Sequence, residues 1–185
     1  MPYFSGMKEK ELKIPVDSHD KIKARLAGLG AEFLCHVTQK DDFYDTPDGC
    51  VMNGDSCLRL RHVVHLDGAA DDEYFLTWKG PREDVWAKVR PEYETAVSSP
   101  AAVGKILNSL GYEKTFEVVK KRTSYRLGCC RIELDELDRL GFFVEIEGPD
   151  EAELEKTRKL LQIEGHEPRS YASLLRQAIK KTKNS

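Results

Sequence analysis

Charged and apolar residues alternate with a period of two along much of this chain, and that pattern predicts strands. Glu9, Glu11 and Lys13 alternate with Leu12 and Ile14, and Arg59 and Arg61 alternate with Leu58 and Leu60. Tyr74, Leu76 and Trp78 oppose Phe75, Thr77 and Lys79, while Arg90, Glu92 and Glu94 share a face. Lys120 and Arg122 share another. Arg131, Glu133 and Asp135 alternate with Ile132 and Leu134, as Glu145 and Glu147 do with Val144 and Ile146. Residues two apart on a strand point the same way, so each charged set occupies one sheet face.

Four helices are legible between these strands. Asp17 or Ser18 can cap one running towards Leu26, ended by Gly28 or Gly30. Ser99-Pro100 is a cap followed by a first-turn proline, opening a helix to Ser109 that Gly111 stops. Pro149-Asp150-Glu151 begins an acidic first turn of a helix to about Gln162. Ser170 caps a last helix to Lys180, and the basic tail Lys180 to Ser185 is expected to fray. Turns are expected at Pro47-Asp48-Gly49, Asp67-Gly68 and Gly80-Pro81, with Asp67 to Asp72 as a hairpin loop. A faint repeat is also present. Leu26 to Glu32 resembles Leu107 to Glu113 at an offset of 81, which also sets Glu11 on Glu92 and Lys40 on Lys121.

The chain has 185 residues, 40% hydrophobic and 33% charged, with no linker-like stretch, so residues 1–185 read as one domain. A net charge of -3 and a pI near 6.0 argue against a dedicated nucleic-acid or membrane-surface binder. No apolar run reaches the roughly 20 residues of a membrane span, and Met1 to Lys13 lacks a signal-peptide core. The odd set Cys35, Cys50, Cys57, Cys129 and Cys130 lacks metal spacing, and reduced thiols in a cytoplasmic protein are expected. Walker A, GxGxxG, HExxH and GxSxG patterns are missing from the sequence, and its five histidines have no metal spacing. Trp78 and Trp86 read as packing residues.

The chemistry must therefore lie in the charged faces. A sheet with one face in water would explain one or two such strands, but solvent faces ordinarily mix in Thr, Ser and Gln. Seven segments of nearly pure charge point instead to a barrel whose apolar side meets helices and whose charged side lines its interior. Burying both signs is costly unless they pair and hold a polyvalent ligand. Polyphosphate with a divalent cation needs both: Arg and Lys for phosphate oxygens, Asp and Glu for a hard metal ion.

Glu9-Lys10-Glu11-Leu12-Lys13 resembles the ExExK signature of the CYTH, or triphosphate tunnel metalloenzyme, family. Leu58-Arg59-Leu60-Arg61, Thr77-Trp78-Lys79-Gly80-Pro81, Arg90-Pro91-Glu92-Tyr93-Glu94, Lys120-Lys121-Arg122, Glu133-Leu134-Asp135 and Phe143 to Glu147 follow in the family's order, spanning roughly Lys8 to Leu175. The resemblance implies an α+β fold: an eight-stranded antiparallel β-barrel, the triphosphate tunnel, with flanking α-helices. Members use Mg²⁺ or Mn²⁺ and are often dimeric, which leaves a homodimer open here.

By the same resemblance Lys13, Arg59, Arg61, Lys79, Arg90, Lys120 and Arg122 bind the triphosphate. Glu9, Glu11, Asp135, Glu145 and Glu147 hold the metals, two ions being expected. Asp135, Glu145, Lys120 and Arg122 are the catalytic candidates, and Glu92, Glu94 and Glu133 either bind metal in a second tier or only pair with bases. Alternation selects Lys120 and Arg122 over Lys121. Family members divide into class IV adenylate cyclases, thiamine triphosphatases and inorganic triphosphatases. Glu167-Pro168-Arg169-Ser170-Tyr171, then Leu174-Leu175, resembles the cyclase ending, as do Lys120-x-Arg122 and Leu140 to Phe143. The expected reaction is cyclisation of ATP to cyclic AMP and pyrophosphate. The alternatives are hydrolysis of inorganic, thiamine or nucleoside triphosphate, and a non-catalytic polyphosphate or nucleotide sensor.

Overall fold

The computed structural model describes residues 10–68, 70–81 and 90–183, so Glu9, Trp86 and the first residues of the ExExK segment lie outside the described residues. The chain order is β1 (Lys10–Val16), α1 (Asp20–Gly28), β2 (Glu32–Asp45), α2 (Cys50–Asn53), β3 (Cys57–His65), β4 (Glu73–Lys79) and β5 (Glu92–Ala96). It continues with α3 (Pro100–Ser109), β6 (Glu113–Leu127), β7 (Cys130–Leu137), β8 (Gly141–Gly148), α4 (Glu151–Leu161) and α5 (Tyr171–Lys183). The strands form one eight-stranded sheet in the order β1-β8-β7-β6-β2-β3-β4-β5, every pairing antiparallel. This is the expected fold class. No ladder joins β1 to β5 among the described residues, so the ring is curled rather than closed by backbone hydrogen bonds.

The helix signals act as the local chemistry requires. Ser99 Oγ accepts from Ala102 N, Asp150 Oδ1 from Glu153 N and Ser170 Oγ from Ser173 N. At α1 the expectation needs correction. His19 is the N-cap, without a side-chain cap bond, and its ring is buried, with Nε2 donating to the Phe143 carbonyl at 3.0 Å. α5 runs on to Lys183, past the expected end at Lys180. Arg90 precedes β5 rather than sharing its strand.

The two halves of the chain are built alike. β1-α1-β2-β3-β4 is followed by β5-α3-β6-β7-β8, and exchanging the halves reverses the sheet order onto itself. The ladder registers carry this two-fold through every strand. Glu11 falls on Glu92 and Lys13 on Glu94; Gln39 falls on Lys120 and Asp41 on Arg122. Arg59 falls on Glu133, Arg61 on Asp135, Thr77 on Glu145 and Lys79 on Glu147. The offset of 81 met in the sequence is thus the sheet's own symmetry at β1 and β5.

Three apolar clusters hold the sheet in its curve. Leu12, Ile14, Ile132, Leu134, Val144 and Ile146 on the outer face pack under Ile22 and Leu26 of α1 and Leu154 and Leu161 of α4. Tyr44, Leu58, Leu60 and Leu76 pack under Val103 and Leu107 of α3. The third cluster lies on the inner face. Phe43, Phe116, Val118, Leu137 and Phe143 alternate with outward residues and receive Tyr171, Leu174 and Leu175 of α5. The inner face is therefore charged along most of its length and apolar where α5 closes it.

Burial decides against a solvated charged face. Lys13 is 2% exposed, Glu133 1% and Asp135 0%, although they lie opposite an outer face that is itself covered by helices. Only curvature of the sheet hides both sides. Because Ile146 is wholly buried in the first cluster, Ile146→Ala is expected to lower unfolding free energy by about 3 kcal/mol. Ile106→Ala, on the exposed side of α3, should change it by less than about 0.5 kcal/mol. Urea denaturation of the two variants measures the difference.

Candidate functional site in the charged interior

One wall of the interior is basic and comes from β3 and β4. Arg61 grips Asp41 of β2 with both ends of its guanidinium, Nε to Oδ1 at 2.6 Å and Nη2 to Oδ2 at 2.7 Å, and Arg59 Nη1 reaches the same carboxylate at 3.3 Å. Arg59 Nε also donates to Thr77 Oγ1 at 3.3 Å, and Thr77 donates on to Glu94 at 2.6 Å. Lys79 pairs with Glu92 at 2.6 Å. Burial disfavours the Asp41 anion, yet Arg61 and Arg59 overcome it and hold the carboxyl well below its usual value. The same balance, with Lys79 as the partner, lowers Glu92.

The opposite wall is acidic and comes from β7, β8 and β1. Here the fork is reversed. Arg122 of β6 grips Asp135 of β7, Nε to Oδ1 at 2.6 Å and Nη2 to Oδ2 at 2.5 Å, at the positions two-fold related to Asp41 and Arg61. Arg122 Nη2 also donates to Glu145, and Lys120 Nζ donates to Asp135 at 3.0 Å. Lys13 Nζ stands 3.4 Å from the other Glu145 oxygen. Ser124 and Arg131 both bond Glu133. Burial and then the Arg122 charge push the Lys120 amine down, against the pull of Asp135 and Glu145.

Beside these pairs lies a cluster of like charge. Carboxylate oxygens of Glu11, Glu145 and Glu147 come within 4.8 Å of one another. Burial, then Glu133 and the other acids, pushes the Glu147 carboxyl up to about 8. Three hard oxygen donors gathered this closely suit Mg²⁺ or Mn²⁺. Asp135, also expected among the ligands, accepts from Lys120 and Arg122, as Glu145 accepts from Arg122.

The segment before α5 borders this interior through its backbone and through Tyr171. Glu167 N donates to the Lys13 carbonyl at 2.8 Å, and Lys13 Nζ donates to the Arg169 carbonyl at 2.9 Å. The Tyr171 ring lies under Lys13 Nζ at 4.1 Å and Lys120 Nζ at 5.1 Å, a cation–π contact with both. Burial and the neighbouring Glu145 push its phenol well above its ordinary value.

Thus Lys13, Arg59, Arg61, Lys79, Lys120 and Arg122 share the interior with Glu11, Asp135, Glu145 and Glu147, while Lys121 is exposed. Glu92 and Glu94 do pair with bases. Arg90 stands just outside β5, and Glu9 lies outside the described residues. Sequence reasoning passed over Gln39, Asp41, Thr77, Ser124 and Tyr171. β2 carries the polar run Thr38-Gln39-Lys40-Asp41-Asp42, with charge on both faces, so alternation gives no signal there. The two-fold offset was the one available clue, since it sets Asp41 on Arg122.

A curled antiparallel sheet sets a basic wall against an acidic one, with a carboxylate triad beside them, and so gathers the donor types that a divalent cation and a polyanion call for. Comparison with known proteins places it further. The CYTH domain model matches residues 7–178, and the chain belongs to that family. The PH1819 protein of Pyrococcus horikoshii is 31% identical, with a TM-score of 0.79 over 91% of this chain and 99% of that one. Adenylate cyclase CyaB of Aeromonas hydrophila is 27% identical over 165 residues, 86% of this chain and 80% of the relative. A Hippeastrum protein described as having a dominant triphosphatase activity shares the fold with a TM-score of 0.67 at 21% identity, over 91% of this chain and 95% of that one.

Asp41→Asn leaves two buried guanidinium groups short of their carboxylate and is expected to cost about 3 kcal/mol at pH 7. Because folding lowers the Asp41 pKa, its contribution is complete above 3.8 and lost as pH falls below that value. The variant should therefore lose less stability on acidification than the parent in denaturation series from pH 6 to 2. Mg²⁺ or Mn²⁺ should raise the thermal midpoint, by about 2.7 kcal/mol of stabilisation at a hundredfold excess over Kd. Glu147→Gln should weaken that response in a calorimetric titration.

Proposed function

We propose that the protein is a class IV adenylate cyclase, converting ATP to cyclic AMP and pyrophosphate. The observation that carries this reading is the placement of the cyclase-like ending. The backbone of Glu167 and Arg169 bonds Lys13, and the Tyr171 ring lies under Lys13 and Lys120, so the segment that resembles the cyclases borders the interior. The likeness to CyaB supports the same conclusion.

On this reading Lys13, Arg59, Arg61, Lys79, Arg90, Lys120 and Arg122 bind the triphosphate, displacing some of the present ion pairs as phosphate oxygens replace carboxylates. Glu11, Glu145 and Glu147, with Glu9 and Asp135 as the remaining candidates, would hold the divalent ions. A bound Mg²⁺ or Mn²⁺ supplies charge that lowers the pKa of a hydroxyl and offsets phosphate charge. The ribose 3′ oxygen forms a bond to the α-phosphorus, the bond from that phosphorus to the bridging oxygen of pyrophosphate breaks, and Glu145 accepts the hydroxyl proton. Lys120 and Arg122 stabilise the charge gathering on the transferring group.

A second reading is hydrolysis, in which an activated water attacks the terminal phosphorus using the same grip. The activity described for the Hippeastrum protein favours keeping it, although at 21% identity that likeness speaks for the fold alone. Incubation with Mn²⁺ or Mg²⁺ and ATP, thiamine triphosphate or inorganic triphosphate tests both. Cyclic AMP with equimolar pyrophosphate is expected. Phosphate release without cyclic AMP would replace the cyclase by a triphosphatase, and tight binding without turnover would leave a sensor. Lys79→Ala, at a partly exposed pair, should raise KM for the preferred triphosphate at least tenfold while leaving the thermal midpoint nearly unchanged.

A further inference from the structure

On the inner face of β2, between the basic and acidic walls, stands Gln39. It is 8% exposed, and its Oε1 has no hydrogen-bond partner among the described residues. Its ladder neighbours are Val63 on β3 and Lys120 on β6, and Asp41, two residues along the same face, carries the Arg61 fork. A buried amide oxygen without a donor costs free energy that a ligand can recover.

The two-fold sharpens its meaning. Gln39 occupies the position that Lys120 fills in the other half. A lysine ammonium there only donates, to Asp135. An amide oxygen accepts, and so asks for a ligand that brings a hydrogen. Phosphate oxygens in a fully ionised triphosphate bring none. A sugar hydroxyl does.

From this geometry we infer that Gln39 is a specificity residue that accepts a hydrogen bond from a sugar hydroxyl of a nucleoside triphosphate, and so favours nucleotides over inorganic triphosphate. The inference rests on the nucleotide reading above and adds which residue recognises the nucleoside. It places the sugar over the middle of β2, between the bases of β3 and the carboxylates of β7 and β8.

The test compares affinities by calorimetry in Ca²⁺, after a check that no product forms, for ATP, 2′,3′-dideoxy-ATP and inorganic triphosphate. In the parent protein, loss of the sugar hydroxyls should weaken binding about tenfold, the value of one hydrogen bond to a buried acceptor. Gln39→Met, which keeps the volume and removes the acceptor, should weaken ATP about tenfold, leave inorganic triphosphate within twofold and abolish the discrimination against the dideoxy nucleotide. Equal binding of ATP and dideoxy-ATP by the parent overturns the inference without any variant, so a poorly folding Gln39→Met does not shelter it. Parallel losses for ATP and inorganic triphosphate in the variant overturn it too, since they mark a structural role. If the parent forms no cyclic AMP yet shows the hydroxyl preference, the cyclase reading fails while the Gln39 inference stands.

Discussion

Matching buried charge is the constraint on which the rest of this structure depends. An inner face lined by Lys, Arg, Asp and Glu cannot leave water without partners, because an isolated ion in a low-dielectric interior is far costlier than the pair that forms when both signs are present. Two bidentate forks meet that demand at the centre of the sheet. Asp41 is held by Arg61 on one side and Asp135 by Arg122 on the other. The paired groups are also those that triphosphate and metal would engage, so the charge that a ligand needs is already positioned and already neutralised.

Two similar halves provide this arrangement economically. The same strand-helix-strand-strand-strand unit, repeated and joined through β2 and β6, brings equivalent positions across a two-fold, and the two copies differ in sign. Where β3 has Arg59 and Arg61, β7 has Glu133 and Asp135; where β4 has Lys79, β8 has Glu147. Symmetric geometry with charge of opposite sign at these positions produces one basic wall and one acidic wall. Glu11, Glu145 and Glu147 bring like charges close together, and burial with the neighbouring acids raises the Glu147 carboxyl. α5 completes the enclosure: its Tyr171, Leu174 and Leu175 fill the end of the inner face where charge gives way to Phe43, Phe116 and Phe143.

Much of this was legible in the primary structure. Alternation identified the charged strands, Ser99-Pro100 and Pro149-Asp150-Glu151 marked their helices, and the interior residues from Lys13 to Glu147 were named before their positions were seen. The gaps have physical causes. β2 is charged on both faces, so it has no period to find, and with it went Gln39 and Asp41. Thr77 and Ser124 are small polar residues whose importance comes only from Glu94 and Glu133 opposite them. Nothing local to His19 marks the bond that its buried ring makes to the Phe143 carbonyl.

The sequence by itself determined which side chains share a face, where helices begin and which family the chain resembles, because these follow from periods of two and 3.6 and from local capping. Only the tertiary structure decided which charges meet. That Asp135 belongs to Lys120 and Arg122 while Glu11, Glu145 and Glu147 cluster, and that Tyr171 lies under Lys13, depends on ladder register and on where α5 docks. Those contacts join residues distant in the chain, and no local pattern encodes a distance between strands that have yet to pair.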